Sequence, residues 1–407
     1  MSRGKGTTSD EGPPRAARCA PSGGSAAAPA ASVGALSIVH TEASLGWGGQ
    51  EIRILTEAAG MRARGHDVVL LAAHGARIVA EAPRFGVPVT ALPIGRKRPA
   101  GLVAMTRALA QRRFDVVNTH SSTDSWLAAL ACAWLRARGR HVPALLRTRH
   151  VSVAVPNDAA TRWLYRSATV RTITTGEALR EQLVRDNALA AERVESVPTG
   201  IDAARYGGVG KADARRSLGL PADAPLVGIV ATLRSWKGHR HLVEALSRMR
   251  RADAQLVIVG DGPQREALEA QVRALALGAR VRFAGQQDDV APWLAALDVA
   301  ALPSYANEGV PQALLQAMFA RVPVVTTDAG AIPEIARDGD TATIVPREDP
   351  GALARALDAL LDDPARGAAQ AERAHEFVVP RYGLERMLDR MEGAFRRAIA
   401  DAKAATA

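Results

Sequence analysis

Short β-branched runs alternate with Ala/Leu/Arg-rich helical patterns along almost the whole chain, and that rhythm leaves few folds open. Leu36-Ser37-Ile38-Val39, Val68-Val69-Leu70-Leu71 and Val116-Val117-Asn118 each adjoin a helical stretch. Apolar strands this short, separated by helix-length segments, pair in parallel and are covered on both faces by their crossover helices. The rhythm pauses from Gly200 to Gly210, where Pro198, Gly200, Gly207-Gly208 and Gly210 mark a linker, and restarts at Leu226-Val227-Gly228-Ile229-Val230. Further strands are expected at Leu256–Val259, Val281–Phe283, Val299–Leu302 and Val322–Val325. Two doubly wound α/β domains are therefore expected. Ligands of such sheets lie beyond the carboxyl ends of the strands, so the natural site is the cleft between the domains.

The length of 407 residues suffices for two cores, and 47% apolar with 23% charged residues is ordinary globular composition. The longest apolar candidate, Trp126 to Leu135, is about half the roughly 20 residues that span a bilayer. Residues 1–32, with Ser22-Gly23-Gly24-Ser25 and scattered Pro and Ala, lack the apolar centre of a signal peptide and read as a disordered tail. Two cysteines, Cys19 and Cys132, suggest neither a disulfide framework nor a thiolate metal site, and a reducing cytoplasm fits. Charge is uneven: residues 33–205 carry 23 Lys/Arg against 14 Asp/Glu, or +9, whereas 206–407 carry 25 against 26, or −1. Arg96-Lys97-Arg98, Arg112-Arg113 and Arg136 to Arg149 are the dense parts. Such a face suits anionic lipid heads or plain solvation, and nucleic acid is not expected as a partner.

Glu308-Gly309-Val310-Pro311-Gln312 places an acid, a flexible glycine and a helix start side by side. Pro311 suits the first helical turn, and the spacing predicts a helix from Ala313 through Met318. Unpaired N–H groups at such a start attract phosphate, while Glu308 just outside accepts hydrogen bonds from sugar hydroxyls. Gln316 lies about two turns deeper, roughly 8 Å along the axis, so two polar arms are spaced for opposite ends of one long ligand. An ordinary loop-to-helix junction has the same pattern.

Lys237 and Arg234 follow the strand Leu226–Val230, with Gly238 next and a helix expected over His239–Arg248. Arginine engages a diphosphate bidentately and lysine as a point charge. Gly260-Asp261-Gly262-Pro263 and Gly285-Gln286-Gln287 end strands and are ligand-loop candidates, the first equally a plain turn. Gly46-Trp47-Gly48-Gly49-Gln50-Glu51, between the first strand and first helix, lets a ligand approach backbone N–H groups but lacks the dinucleotide spacing. His120 and His150 end strands of the first domain and are candidates to point into the cleft. His239 and His241 have no third ligand nearby, so no metal site is expected. Gly207-Gly208-Val209-Gly210-Lys211 imitates a phosphate loop, yet Arg205 and Ala212 stand where a glycine and a Ser/Thr are needed. Asp338-Gly339-Asp340 reads as a turn.

Together these residues resemble the retaining glycosyltransferases of family 4 (group 1), which have the two-domain GT-B architecture. The resemblance runs from Leu36 to about Phe395. It is carried by Val281-Arg282-Phe283-Ala284-Gly285, Pro303-Ser304, Glu308-Gly309, Pro323-Val324-Val325 and Pro333-Glu334-Ile335, extended by Val197–Asp202, Lys237-Gly238 and Val259–Pro263. It implies two Rossmann-like domains: residues 33–205 for the acceptor, 206–379 for a nucleotide sugar, and a helix over 380–407 that crosses back to the first domain. On this resemblance Glu308 and His120 act at the reacting sugar. The N–H groups of Gly309, Val310 and Gln312 line its hydroxyls, Lys237 neutralises the departing diphosphate, and Gly49 approaches that diphosphate. Gln286 lies in the nucleobase loop. No metal or other cofactor is expected.

Two departures stand out. The family's second Glu, eight residues after the first, is Gln316 here, and its Arg, five before the Lys, is Thr232, with Arg234 the available substitute. The expected activity is transfer of a hexose-type sugar, with UDP as the expected nucleotide, to a lipid-linked or cell-envelope glycan such as lipopolysaccharide. Configuration would be retained, and the protein would be cytoplasmic and peripheral on the inner face of the plasma membrane. A catalytically impaired nucleotide-sugar-binding protein and a sugar-nucleotide epimerase are the alternatives.

Overall fold

In the computed structural model, which describes residues 34–405, the first half forms one parallel sheet. The tail expected over residues 1–32 lies outside the described residues. The strands are β1 (Ser37–Glu42), β2 (Asp67–Ala73), β3 (Val89–Leu92), β4 (Val116–Thr119), β5 (Ala144–Arg149), β6 (Arg171–Thr174) and β7 (Val194–Ser196). Their order is β3-β2-β1-β4-β5-β6-β7. A second sheet holds β8 (Leu226–Val230), β9 (Gln255–Val259), β10 (Val281–Gly285), β11 (Val299–Leu302), β12 (Val324–Thr326) and β13 (Thr343–Ile344), ordered β10-β9-β8-β11-β12-β13. The strand order reverses beside β1 in one sheet and beside β8 in the other. Loops leaving the carboxyl ends there diverge and open a crevice.

Each sheet is buried on both faces, which is why its strands read as nearly unbroken apolar runs. Ile38, Val39, Val116, Val117 and Leu146 share a core with Ile54, Leu55 and Met61 of the helix Gly49–Ala63. In the second half Val227, Ile229 and Ile258 share a core with Leu315 and Phe319 of the helix Gln312–Phe319. Burying one such side chain contributes about 1.5–3 kcal/mol.

The return to the first half begins at Gly383, a little beyond the expected boundary at 380. Pro380 lies inside the helix Pro364–Tyr382, whose Ala374 and Val378 still belong to the second core. At the crossing Ile201 N–H donates to Tyr382 O over 2.8 Å, and Leu384 N–H donates to Ile201 O over 2.9 Å. The helix Leu384–Ala404 then inserts Met387, Leu388, Met391 and Phe395 into the first core. Its close approach depends on Gly60, where a β-carbon would overlap Leu388.

Candidate functional site

Two adjoining cavities, of about 260 and 420 Å3, lie where the carboxyl ends of both sheets meet. They share Trp47, Gly48, Gly49, Thr232, Lys237 and Gln312 as walls. The smaller adds Gln286, Val290 and Gln316; the larger adds His150, Thr175, Arg234, Glu308, Gly309 and Val310. Apart from His120, every site residue expected from the sequence thus lines one continuous cleft. A cavity of about 450 Å3 lies elsewhere, beside Pro225, Asp298 and Pro323 at the amino ends of β8, β11 and β12, and none of the expected residues lines it.

Lys237 ends a tight turn over Ser235–Lys237 that is tied to the loop after β11 by Tyr305 N–H donating to Trp236 O, 2.9 Å. This brings its ammonium to 2.7 and 2.9 Å from the two oxygens of Glu308. Ser304 Oγ also donates to Glu308 Oε1, 2.7 Å. The Glu308 backbone is pinned in turn. Ala331 N–H donates to its carbonyl over 3.2 Å, and Gly330 has φ 56°, where a β-carbon would overlap that carbonyl. The Glu308 carboxylate and the Lys237 ammonium, both mostly screened from water, therefore face each other on the wall of the larger cavity.

Gly309 and Val310 close the crevice against the first half. Val310 N–H, expected to face sugar hydroxyls, donates instead to Thr175 O over 3.1 Å, so that donor is already used. A β-carbon at Gly309 would overlap Thr175 Oγ1. Gln312 begins its helix with side-chain Oε1 buried and unpartnered, and a β-carbon at Gly49 would stand 3.2 Å from it. In the smaller cavity Gln316 faces the Tyr206 hydroxyl, whose pKa burial pushes up to about 12. Gln286 Nε2 donates to Gln287 O, 3.2 Å. Arg234 lines the larger cavity beside Trp236, its guanidinium carbon 5.9 Å from the ring centroid, and Thr232 sits at the shared wall.

His120 stands behind His150 rather than on the cavity wall. His120 Nδ1 lies 3.0 Å from His150 Nε2, and His120 Nε2 lies 3.0 Å from His40 Nδ1. His40 Nε2 is 4.0 Å from Glu57 Oε1. Burial, with Arg53 adding to it, pushes His40 down to about 3. Burial and the neighbouring imidazoles hold His120 well below the usual histidine range; burial and then Arg53 and Arg149 do the same for His150. Glu57 is pushed up to about 7 because burial outweighs the adjacent Arg53. His239 is likewise pushed down to about 3, by burial and then Lys237. Among the described residues no group of three or more His, Cys, Asp or Glu is arranged to hold a metal ion.

Sequence reasoning missed Thr175, Ser304, Glu42 and the arginines Arg84 and Arg205 of the smaller cavity. Thr175, Ser304 and Glu42 stand at or just beyond the carboxyl ends of β6, β11 and β1, a positional signal that their side chains alone do not give. Glu42 is pushed up to about 8 by burial and then by Asp124 and Glu51. Its oxygens take Ser44 N–H at 2.7 Å and Gln50 Nε2 at 2.5 Å. Gly207–Gly210 leads into the helix Lys211–Leu218, and Asp338 Oδ1 accepts from Ile344 N–H at 2.9 Å across a turn.

The model of Glycosyltransferase Family 4 matches residues 47–205, and that of Glycosyl transferases group 1 matches residues 224–363. A D-inositol 3-phosphate glycosyltransferase of Streptomyces bingchenggensis is 30% identical over 69% of this chain and 68% of its own length. The lipopolysaccharide core biosynthesis glycosyltransferase LpsE of Rhizobium meliloti is 34% identical over 43% of this chain, and the match spans about half (51%) of that relative. Anabaena Alr3699/HepE, solved in complex with UDP-glucose, superposes with a TM-score of 0.79 at 20% identity, covering 89% of this chain and 100% of that one. With two Rossmann-like domains about a common cleft and both halves matched by their own models, this chain belongs to the family-4, group 1 glycosyltransferases of GT-B architecture.

Proposed function

We propose that this protein moves a hexose-type sugar from a UDP-sugar to a lipid-linked or cell-envelope glycan, with retention of configuration and without a metal. The observation that carries this reading is the divided cleft, with Lys237 on the wall common to both cavities and paired to Glu308 in the larger one. The smaller cavity accommodates the nucleoside between Gln286 and Gln316. The diphosphate then falls beside Lys237 and the Gly48-Gly49 backbone, and the sugar reaches Glu308. A fixed ammonium at a departing diphosphate supplies the electrostatic stabilisation that a metal supplies elsewhere. UDP is favoured by the complex of the structural relative with UDP-glucose, and a cell-envelope acceptor by the lipopolysaccharide-core relative.

Placement on the inner face of the plasma membrane is supported by the basic first half. Trp134 (48% exposed) and Leu130 (41%) on the helix Ser122–Ala137 are exposed, as is Val103 on the adjoining helix Pro99–Gln111. Arg138 lies over Trp134, 4.5 Å from its ring centroid. Apolar side chains rimmed by cations suit an anionic lipid surface. No helix among the described residues is long and apolar enough to cross a membrane. Flotation with anionic but not neutral liposomes is the expected result, and equal behaviour with both sinks the membrane placement.

Calorimetric titration with UDP, GDP, ADP and then UDP-sugars in EDTA tests the donor site. Base-selective micromolar binding, lost in Lys237→Ala, is expected. Donor binding without any turnover across an acceptor screen would return the chain to the binding-only alternative.

A further inference from the structure

We propose that His150 presents an unprotonated Nδ1 to the larger cavity, held in that state from the protein interior by Glu57 acting through His40 and His120. The protonation pattern stands on contacts within the protein and does not depend on the transferase reading above.

Residues two apart along a strand and its extension point to the same face. Asn118 and His120 are such a pair on β4 and its continuation, and Thr148 and His150 on β5 and its continuation. Two polar rungs result. In the first, Thr148 Oγ1 donates to Asn118 Oδ1 at 2.9 Å, which turns the amide nitrogen of Asn118 toward Glu57 Oε1 at 3.4 Å. In the second, His150, His120 and His40 join through two ring contacts of 3.0 Å. Both rungs end at Glu57, which is fully buried. Its Oε2 faces Arg53 Nε at 3.6 Å, and Arg53 is itself anchored by donating from Nη1 to Val197 O at 2.7 Å. With the Asn118 amide donating to one oxygen and the Arg53 guanidinium facing the other, Glu57 is an acceptor.

A neutral imidazole carries one N–H and one lone pair, so a choice at one end of such a row fixes every ring in it. His40 Nε2, buried and without a hydrogen-bond partner, stands 4.0 Å from Glu57 Oε1. A lone pair there would be repelled by the carboxylate and an N–H attracted. His40 Nδ1 then accepts from His120 Nε2–H, and His120 Nδ1 accepts from His150 Nε2–H. The lone pair that remains is on His150 Nδ1. That atom makes no hydrogen bond among the described residues, and His150 lines the larger cavity with Glu308 and Gly309. An acceptor at this point admits a hydroxyl and repels a phosphate oxygen. The row therefore sorts the sugar end of the cleft from the diphosphate end. Burial opposes an imidazolium anywhere along it.

The test is multiple-bond nitrogen–proton NMR on the full chain labelled with 15N-histidine at pH 8, with the His150 signals identified by their loss in His150→Asn. The expected pattern is a proton on Nε2 of His40, His120 and His150. A proton on His150 Nδ1 overturns the proposal. In Glu57→Gln the His150 signals should no longer report a single tautomer, and an unchanged pattern removes Glu57 from its positioning role; should that variant not fold, the wild-type spectrum still decides the tautomer.

Discussion

The Lys237 ammonium bridges both carboxylate oxygens of Glu308, at 2.7 and 2.9 Å. The two groups assigned to the two ends of a bound sugar diphosphate are thus paired with each other before any ligand arrives. A mostly buried pair of this kind gains little net stability, because desolvation offsets the attraction. It does hold both groups in place. A diphosphate must then compete with Glu308 for Lys237, so Glu308→Gln is expected to bind UDP more tightly by about 1 kcal/mol, roughly five-fold, while losing sugar transfer. Calorimetry with UDP checks this, and weaker binding in the variant would contradict it. Lys237→Ala should move the other way, weakening UDP by about 1.5–3 kcal/mol, or roughly ten- to a hundred-fold.

The contact between the halves at Gly309 gives a second expectation. In Gly309→Ala the new methyl meets Thr175 Oγ1, and overpacking of this sort costs about 1–3 kcal/mol. Donor affinity should fall with it, because Gly309 and Val310 line the larger cavity. Adding Thr175→Ala removes the obstructing oxygen and should recover at least half of the loss. A double variant no better than the single one would place the strain elsewhere.

Gln316 leaves the smaller cavity without a negative group at the helix face opposite Tyr206. Gln316→Glu supplies charge assistance to a ribose hydroxyl and should tighten UDP several-fold, about 1 kcal/mol. Equal affinities would mean that no ribose hydroxyl reaches this position.

Acid should destabilise the fold through its buried imidazoles. His40, His120, His150 and His239 all have folded-state values below the ordinary 6.5, so the unfolded chain binds protons that the folded one refuses. Their contribution is present above pH 6.5 and is lost as the pH falls toward 3, by up to about 1.4 kcal/mol per pH unit for each ring. Glu57 and Glu42, raised to about 7 and 8, work in the opposite sense, favouring the folded state below about 4.5 and losing that contribution as the pH rises to 7 and 8. The two trends partly cancel between pH 4.5 and 6.5, and below 4.5 the imidazoles are joined by Asp298 and Glu392, whose carboxyls are held below their usual range, despite burial, by Lys211 and Arg396 and lose that contribution on protonation. Denaturant midpoints should therefore drop steeply below pH 4.5, and a flat profile there would show that these rings titrate normally in the folded protein.

Much of this architecture was legible because parallel strands buried on both faces are apolar throughout. β8 and β11 fall on Leu226–Val230 and Val299–Leu302 as the sequence pattern has them. The strands that escaped notice were β3, β6, β7 and β13. Arg171, Thr172 and Thr174 surround the single Ile173 of β6, and β13 has only two residues, so neither forms an apolar run. β1 extends to Glu42 through His40 and Thr41, buried polar groups whose partners come from distant elements. The site was readable in the same measure. Glu308, Gln312 and Gln316 share one local stretch, whereas the row from Glu57 to His150 draws on a helix and three strands that meet only in the folded sheet. The use of Val310 N–H by Thr175 likewise follows from how the halves meet, which no local pattern encodes.

The crossing at Gly383 sets an order of events for synthesis. The seven strands of the first sheet leave the ribosome early, yet the face carrying His40, Arg53 and Glu57 is not covered until Met391 and Phe395 arrive near the far end of the chain. The second half can complete its core in the meantime, so the half that is made first is finished last. Until then its buried acid, arginine and imidazoles stay wet, and the row of rings that ends at the cleft acquires its fixed protonation only when the last helix shuts over it.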